Sequence, residues 1–500
     1  MGPADAMKVA DIPATLDEHM FDLMAGTGPI SRCLTSAIPQ EWLTSPVLKR
    51  NMEIRDALHG FIEVDEFELE IVNSQPFQRL RHIHQLALSY LVYPGASHKR
   101  FEHSLGVMHV AGRIFDTVTR EDRLTDGVRN IIPARDGLGF AYWRSVLRMA
   151  ALCHDMGHLP FSHAAEEDLL PEGYDHEHMT YDIVCSDDMR QVWAKMSPEP
   201  KPDHVAKLAL GASTVEKLRL PLAFSPWEAI LAEMISGDFG ADRIDYLLRD
   251  SLHTGVAYGR FDHHRLINTL CILTPPSSPQ DEVEDEEDPS DSSLGIEEGG
   301  LESAEALMLA RYLMFSQVYY HPTRLINDAH LKDFLTEWLP GGQFPTGVEQ
   351  HLLITDNEVT AAMLAAMRDP SLPGHDPARR ILQRDHFRVI ASRKAEDIGE
   401  RSLAARAIFD AAVQRYGAEK VRFGASPRQP DPPDFPVLER DGTVASSLAL
   451  SEVMSRLPGS RAEYVFVDRA ERKDAERWID KNREKIITDA LTKQREAGDE

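Results

Sequence analysis

Residues 151–163 read ALCHDMGHLPFSH, three histidines and an aspartate inside a run that is otherwise apolar. Burying His154 and Asp155 side by side is costly unless both are satisfied. A divalent metal would satisfy both, and so would ordinary hydrogen bonds within a core. The chain supplies its own comparison: His375-Asp376, in PGHDPARR, reads as a proline-broken loop with no supporting pattern. His154-Asp155 keeps better company, because His103 precedes it on a helical segment opening at Arg100 and Asp242 follows on another with a polar face. Two imidazoles and two carboxylates suit iron, manganese, zinc, nickel or magnesium, with positions left open for water and substrate. Such an ion lowers the pKa of bound water and creates a nucleophile near neutral pH.

Three helices must bring these residues together. RFEHSLGVMHVAGRIF predicts a helix with Phe101, Leu105 and Met108 on one stripe. WRSVLRMAALCHDMG is apolar nearly all round from Val146 to Cys153, which predicts a buried helix ending at Gly157 and Pro160. GADRIDYLLRDS predicts a third, on which Asp242, Tyr246 and Asp250 share a face. The expected fold class is mainly α, with a smaller mixed α/β C-terminal region. Residues 1–50 read as a lead-in, 51–340 as the core and 341–500 as the C-terminal region, where AEYVFVD predicts a strand and the tail a charged amphipathic helix. Within the core, 275–300 holds ten acidic residues and no basic one, and is expected to be a disordered insertion.

Composition narrows the function. The 500 residues are 42% hydrophobic and 27% charged, and no apolar run approaches the ~20 residues of a membrane-spanning helix. The acidic N-terminus lacks the pattern of a secretory signal, and the four cysteines form no CxxC pair. These features predict an intracellular, cytoplasmic protein without a membrane partner. A net charge of −27 argues against nucleic acid as the main partner, and means that an anionic substrate needs a locally basic pocket.

The residues His103, His154-Asp155 and Asp242 resemble the signature of the HD phosphohydrolase superfamily. DALHGFIEVD, PFQRLRHIHQL, YPGASHKRFEHSLGV, LCHDMGHLPFSHAAE, DHEH, ADRIDYLLRDS and VYYHPTR, in this order over residues 52–330, resemble the HD-domain deoxynucleoside triphosphate triphosphohydrolases. The likeness is to the branch that joins a sterile-alpha-motif domain to the HD domain, and to its bacterial relatives. No sign of a sterile-alpha-motif domain is present in the first fifty residues. The resemblance implies an HD-domain helical bundle in which His103, His154, Asp155 and Asp242 hold the metal. His158, His163 and His176 then line the phosphate side, where some members hold a second metal such as magnesium. It makes His163 the proton donor to the leaving 5′ oxygen, supported by Glu166. Arg100, Arg243, Arg311 and Tyr246 match phosphate contacts. Gln85 and Asp250 match contacts to the 3′-hydroxyl, and Leu86 and Tyr319 match residues that crowd the 2′ position. Tyr319 and His321 also read as a core aromatic and a helix cap. At the family's activating-nucleotide site Gln78 and Arg81 are kept, but Asn73 stands for an aspartate that reads guanine, and Met52 and Arg55 differ from the expected lysine and asparagine.

The function implied is hydrolysis of dNTPs to deoxynucleoside and inorganic triphosphate by a homo-oligomer, a dimer or a tetramer, with an activating nucleotide as a further ligand. Two alternatives remain open: another HD hydrolase (nucleotidase, phosphodiesterase or single-strand nuclease), and a nucleotide-binding sensor or scaffold with little turnover.

Overall fold

Among the described residues the first helix starts with a reciprocal cap. The Asp65 carboxylate accepts from the backbone N–H groups of Phe67 and Glu68, while Glu68 accepts from the Asp65 N–H. In the computed structural model, residues 52–162, 166–274, 292–397, 401–426 and 433–498 are described. The hairpin β1 (Met52–Asp56) and β2 (Gly60–Val64) leads into α1 (Glu66–Val72). Two long helices follow, α2 (Arg100–Val118) and α3 (Leu138–Cys153). Next come α4 (His176–Val184), α5 (Pro202–Leu210), α6 (Pro226–Ser236) and α7 (Ala241–Thr254). Helices α2, α3, α5, α6 and α7 share one apolar core, and α3 is wholly buried from Met149 through Cys153, as its unbroken apolar run requires.

After β3 (Leu270–Leu273) and β4 (Ser293–Glu297), α8 (Leu301–Met314) runs into a π-helical turn at Phe315–Tyr319 and then α9 (Pro322–Trp338). Helices α10 (Asp356–Arg368) and α11 (His375–Leu382) pack with α9 in a second core that also takes in Leu159 and Phe161 from the segment after α3. The C-terminal part adds β5 (Arg388–Ser392), α12 (Ala404–Tyr416), β6 (Val421–Ala425), β7 (Pro436–Leu438), β8 (Val444–Ser446), β9 (Glu463–Val467) and the tail helix α13 (Arg472–Gly498). One sheet has the order β3-β4-β7-β8 and another β5-β9-β6.

The fold class is mainly α, and the AEYVFVD strand and the tail helix form where the pattern places them. Two expectations are corrected. The acidic stretch 275–300 is not irregular throughout, because Ser293–Glu297 is strand β4, paired antiparallel with β3 and parallel with β7. Leu294 and Ile296 are buried there, which gives this end of the stretch the apolar anchor its acidic part lacks. His375-Asp376 is no loop: it opens α11 after Gly374, with His375 bound to the Ala366 carbonyl and Asp376 to Arg379 and Arg380. The β4–β7 pairing also crosses the expected division at residue 340. The lead-in at 1–50 and the acidic residues 275–291 lie outside the described residues. Among the described residues no helix is long and apolar enough to cross a membrane.

Candidate active site

Three helix ends converge on one point. His103 lies one turn into α2, His154 caps the C-terminus of α3, and Asp242 sits in the first turn of α7, where a carboxylate is favoured by the helix dipole. Glycine allows the close approach of α2 and α7: a Cβ on Gly106 would fall 1.9 Å from Asp245 Oδ1. The ligand atoms of His103, His154 and Asp242 all lie within 4.8 Å of one another. His103 Nε2 is 3.0 Å from Asp242 Oδ1, and His154 Nε2 is 3.7 Å from the same atom. Asp155 completes the group, its Oδ1 3.5 Å from His154 Nε2 and its Oδ2 3.8 Å from His103 Nε2.

The donor set fits a divalent cation. His154 Nδ1 donates to the Ala151 carbonyl at 2.8 Å, which fixes the tautomer and aims the lone pair of Nε2 inward. That Nε2 is buried and has no hydrogen-bond partner. Without an ion, burial opposes charge on His103, but Asp242, Asp245 and Asp155 outweigh it and raise its pKa to about 10. Asp242 and Asp155 are shifted the other way: burial favours their neutral forms, and the histidines, with Arg100 beside Asp155, still hold both carboxyls below the usual carboxylate range. The site is thus built around compensated charge.

Behind His103 lies a buried network that sequence reasoning missed. His103 Nδ1 donates to Asp245 Oδ2 at 2.8 Å, and Asp245 also accepts from His59 Nε2 at 2.7 Å and from Arg249 at 2.8 and 3.0 Å. Arg249 continues to Asp56 at 2.8 Å. The available signal was the ADRID spacing, which puts Asp245 three residues after Asp242 on one helix.

On the phosphate side, the His158 and His176 rings stack 4.0 Å apart. His158 Nε2 donates to Asp155 Oδ1 at 3.1 Å. Burial and the nearby Arg100 keep His158 neutral, its pKa well below the ordinary histidine value. Burial also opposes charge on His176, but its bond to Glu166 raises it. Glu166, expected to support His163, pairs with the His176 ring and accepts from its backbone N–H at 2.7 Å. A carboxylate three residues past His163 turns onto the N-terminus of α4, where the free N–H groups draw it. His163 itself lies outside the described residues.

The resemblance makes Arg100 a phosphate contact. In the structure it is engaged by protein, donating to Asp155 Oδ2 at 2.6 Å and to Ser162 Oγ at 2.7 and 3.1 Å, because a buried guanidinium beside a buried carboxylate pairs with it. Arg243 bonds Asp238 at 2.5 Å; burial raises the pKa of the Tyr246 hydroxyl, and the nearby charges of Arg243 and Arg311 pull against that rise. Further along α7, Tyr319 donates to Asp250 Oδ2 at 2.7 Å and His98 Nε2 donates to Oδ1 at 2.8 Å. Leu86 is buried nearby in the core, and the buried Oε1 of Gln85 has no hydrogen-bond partner. His321 caps α9 through Nδ1. Asn73, Gln78 and Arg81 line a separate cavity of about 460 Å³ with Met52 and Arg55, and Arg81 lies 3.5 Å over the Phe101 ring.

The segment after α3 is held from a distance. Phe161 and Ser162 are both left-handed, at φ 56° and 55°. Asp356, at the start of α10, accepts from the Phe161 N–H at 2.8 Å and from the His84 ring at 2.6 Å. Arg79 donates to the His158 carbonyl at 2.9 Å and to that of Ile354 at 2.9 and 3.1 Å.

Comparison with known proteins adds two matches along the chain, an HD domain over residues 100–211 and an HD associated region over 285–423. An uncharacterised protein of Methanocaldococcus jannaschii is 35% identical over 287 residues, 56% of this chain and 48% of that protein. The deoxynucleoside triphosphate triphosphohydrolase SAMHD1 of Homo sapiens is 31% identical over 235 residues, 43% of this chain and 35% of its own length. The chain thus spans about half or less of the length of these two relatives. A crystal structure of a hypothetical protein from Aquifex aeolicus superposes with a TM-score of 0.67 at 28% identity, covering 85% of this chain and 99% of that one.

Proposed function

This chain is an HD-domain protein, and on that premise we propose that it is a metal-dependent hydrolase that cleaves dNTPs to deoxynucleoside and inorganic triphosphate. The observation that carries the reading is the single face of α7. Asp242 stands at the metal cluster, Tyr246 beside Arg243 and Arg311, and Asp250 at the Tyr319 hydroxyl. Eight residues of helix span about 12 Å. That length suits a substrate with a phosphate chain at one end and a sugar at the other.

His103, His154, Asp155 and Asp242 would hold the ion. When bound, it supplies a Lewis acid for water and for a phosphate oxygen. Arg243, Arg311 and Tyr246 bind and orient the triphosphate, offsetting charge that grows there. Asp250 accepts from the 3′-hydroxyl and the Gln85 amide N–H donates to its oxygen, while Leu86 and the Tyr319 ring fill the space a 2′-hydroxyl would need. His176, paired with Glu166, holds a proton on the phosphate side, and His158 stays neutral against it. His163 is the candidate donor to the leaving 5′ oxygen.

The cavity at Asn73, Gln78 and Arg81 is the candidate place for an activating nucleotide, with Asn73 favouring a base other than guanine, and assembly as a homo-oligomer belongs to the same reading. The test is direct. Purified protein with Mn²⁺ or Mg²⁺ is mixed with each dNTP and each NTP, with and without a second nucleotide, and products are resolved by chromatography. Deoxynucleoside and triphosphate are expected; diphosphate with a nucleoside monophosphate would overturn this regiochemistry.

A further inference from the structure

Residues Tyr312, Ser316 and Tyr320 form the stripe next to Arg311 and Tyr319 on α8 and its π-helical turn, and they line a different cavity. That cavity, of about 290 Å³, lies between this helix, the end of β5 and the segment 458–464 entering β9. Two polar atoms at its wall are buried and lack a hydrogen-bond partner, Arg393 Nε and Ser460 Oγ. Ser460 is only 6% exposed. Arg461 is paired with Glu463, whereas Arg393 has no ion pair among the described residues. Leaving buried donors unmet is costly, and native proteins seldom do so without a ligand or water to meet them.

We infer that this cavity is a second ligand site, taking a phosphate group carried on a small ring-bearing molecule such as a nucleoside monophosphate. The Arg393 guanidinium with the Ser460 hydroxyl beside it matches a tetrahedral anion, which can accept from both at once. The tyrosine side chains of Tyr312, Tyr320 and Tyr464 give the cavity aromatic walls against which a flat ring can lie. Its volume is at the small end of the range for small-molecule pockets, about 300–1,000 Å³. A ligand here bears on the same π-helical turn that carries Tyr319 to Asp250. Occupancy therefore couples to whatever binds at α7, and the coupling is reciprocal. The site does not depend on the reaction proposed above.

The experiment is calorimetric titration of adenosine 5′-monophosphate, and separately of inorganic phosphate, into the full chain. It uses the wild type, Arg393→Ala, Arg393→Lys, Ser460→Ala and the double variant Arg243→Ala/Arg311→Ala, with circular dichroism checking each fold. The monophosphate is expected to bind the double variant as it binds the wild type, and to bind Arg393→Ala about tenfold more weakly, the loss of one charge-assisted hydrogen bond. Arg393→Lys retains part of the affinity and stands in for the alanine variant if that chain does not fold. Ser460→Ala weakens binding by a smaller factor. Equal affinity in wild type and both Arg393 variants overturns the inference, as does binding that vanishes in the double variant or is absent throughout. Inorganic phosphate binding as tightly as the monophosphate would remove the ring from the assignment.

Discussion

Asp245→Asn tests whether the buried network behind the cluster sets its properties. The substitution keeps the shape of the side chain and removes its charge. In the native protein this carboxylate meets His103 at 2.8 Å, His59 at 2.7 Å and Arg249 at 2.8 and 3.0 Å, with no exposure to water. Removing one partner of a buried ion pair costs about 3–5 kcal/mol. Arg249 retains Asp56 and the amide retains one acceptor oxygen, so the lower end, about 3 kcal/mol, is expected. The histidine that faces the ion loses the anion that orients it, which weakens metal affinity by about 10–100-fold. Urea unfolding of the metal-free protein reads the first effect, and competition for Mn²⁺ against a chelating dye reads the second. A variant that unfolds at the same urea concentration and keeps its metal affinity would refute the reasoning, whatever its activity.

Asp242→Ala takes away the carboxylate whose Oδ1 lies 3.0 Å from His103 Nε2 and 3.7 Å from His154 Nε2, so bound metal measured by elemental analysis should fall to background and dNTP turnover with it. Leu86→Ala opens room beside the sugar contacts, and the preference for dATP over ATP should fall about tenfold, the usual worth of a small apolar contact in discrimination. Glu233 gives a pH dependence. Burial raises its carboxyl, against the Leu294 N–H and with help from Asp238, from 4.5 to about 7. The native state then binds more protons than the unfolded chain, so the contribution is present in full below the unfolded value and is lost as pH rises through about 7. Allowing for its partial exposure, this amounts to about 2–3 kcal/mol, and Glu233→Gln should flatten unfolding free energy between these two pH values. An unchanged slope would contradict it.

The helices of the site were legible because their apolar spacing and their ends are local properties. The run from Val146 to Cys153 could only be a buried helix, and Gly240 with Asp242 marks a helix start. The convergence of His103, His154, Asp155 and Asp242 rested on motif order, since no local rule brings residues far apart in the chain to one point. What escaped reading was contact across long separations. Nothing near Asp56 or Arg249 announces that they share Asp245, and nothing in PGHDPARR shows that Gly374 will start a helix packed on α10. Arg100 has the right type and place for phosphate, yet its nearest anion is Asp155. Nor does the place of Glu166, three residues after His163, announce its contact with His176 at a helix N-terminus.

The clamp from Asp356 onto Phe161 and from Arg79 onto the His158 carbonyl carries a consequence for modularity. Two successive left-handed residues hold their shape only while something else insists on it, and here that insistence comes from a helix almost two hundred positions downstream. The matched stretch 100–211 is therefore no transplantable cassette. Grafted alone it would leave behind Asp242, Asp245 and Asp356, and the segment through Phe161 and Ser162 would relax into another course.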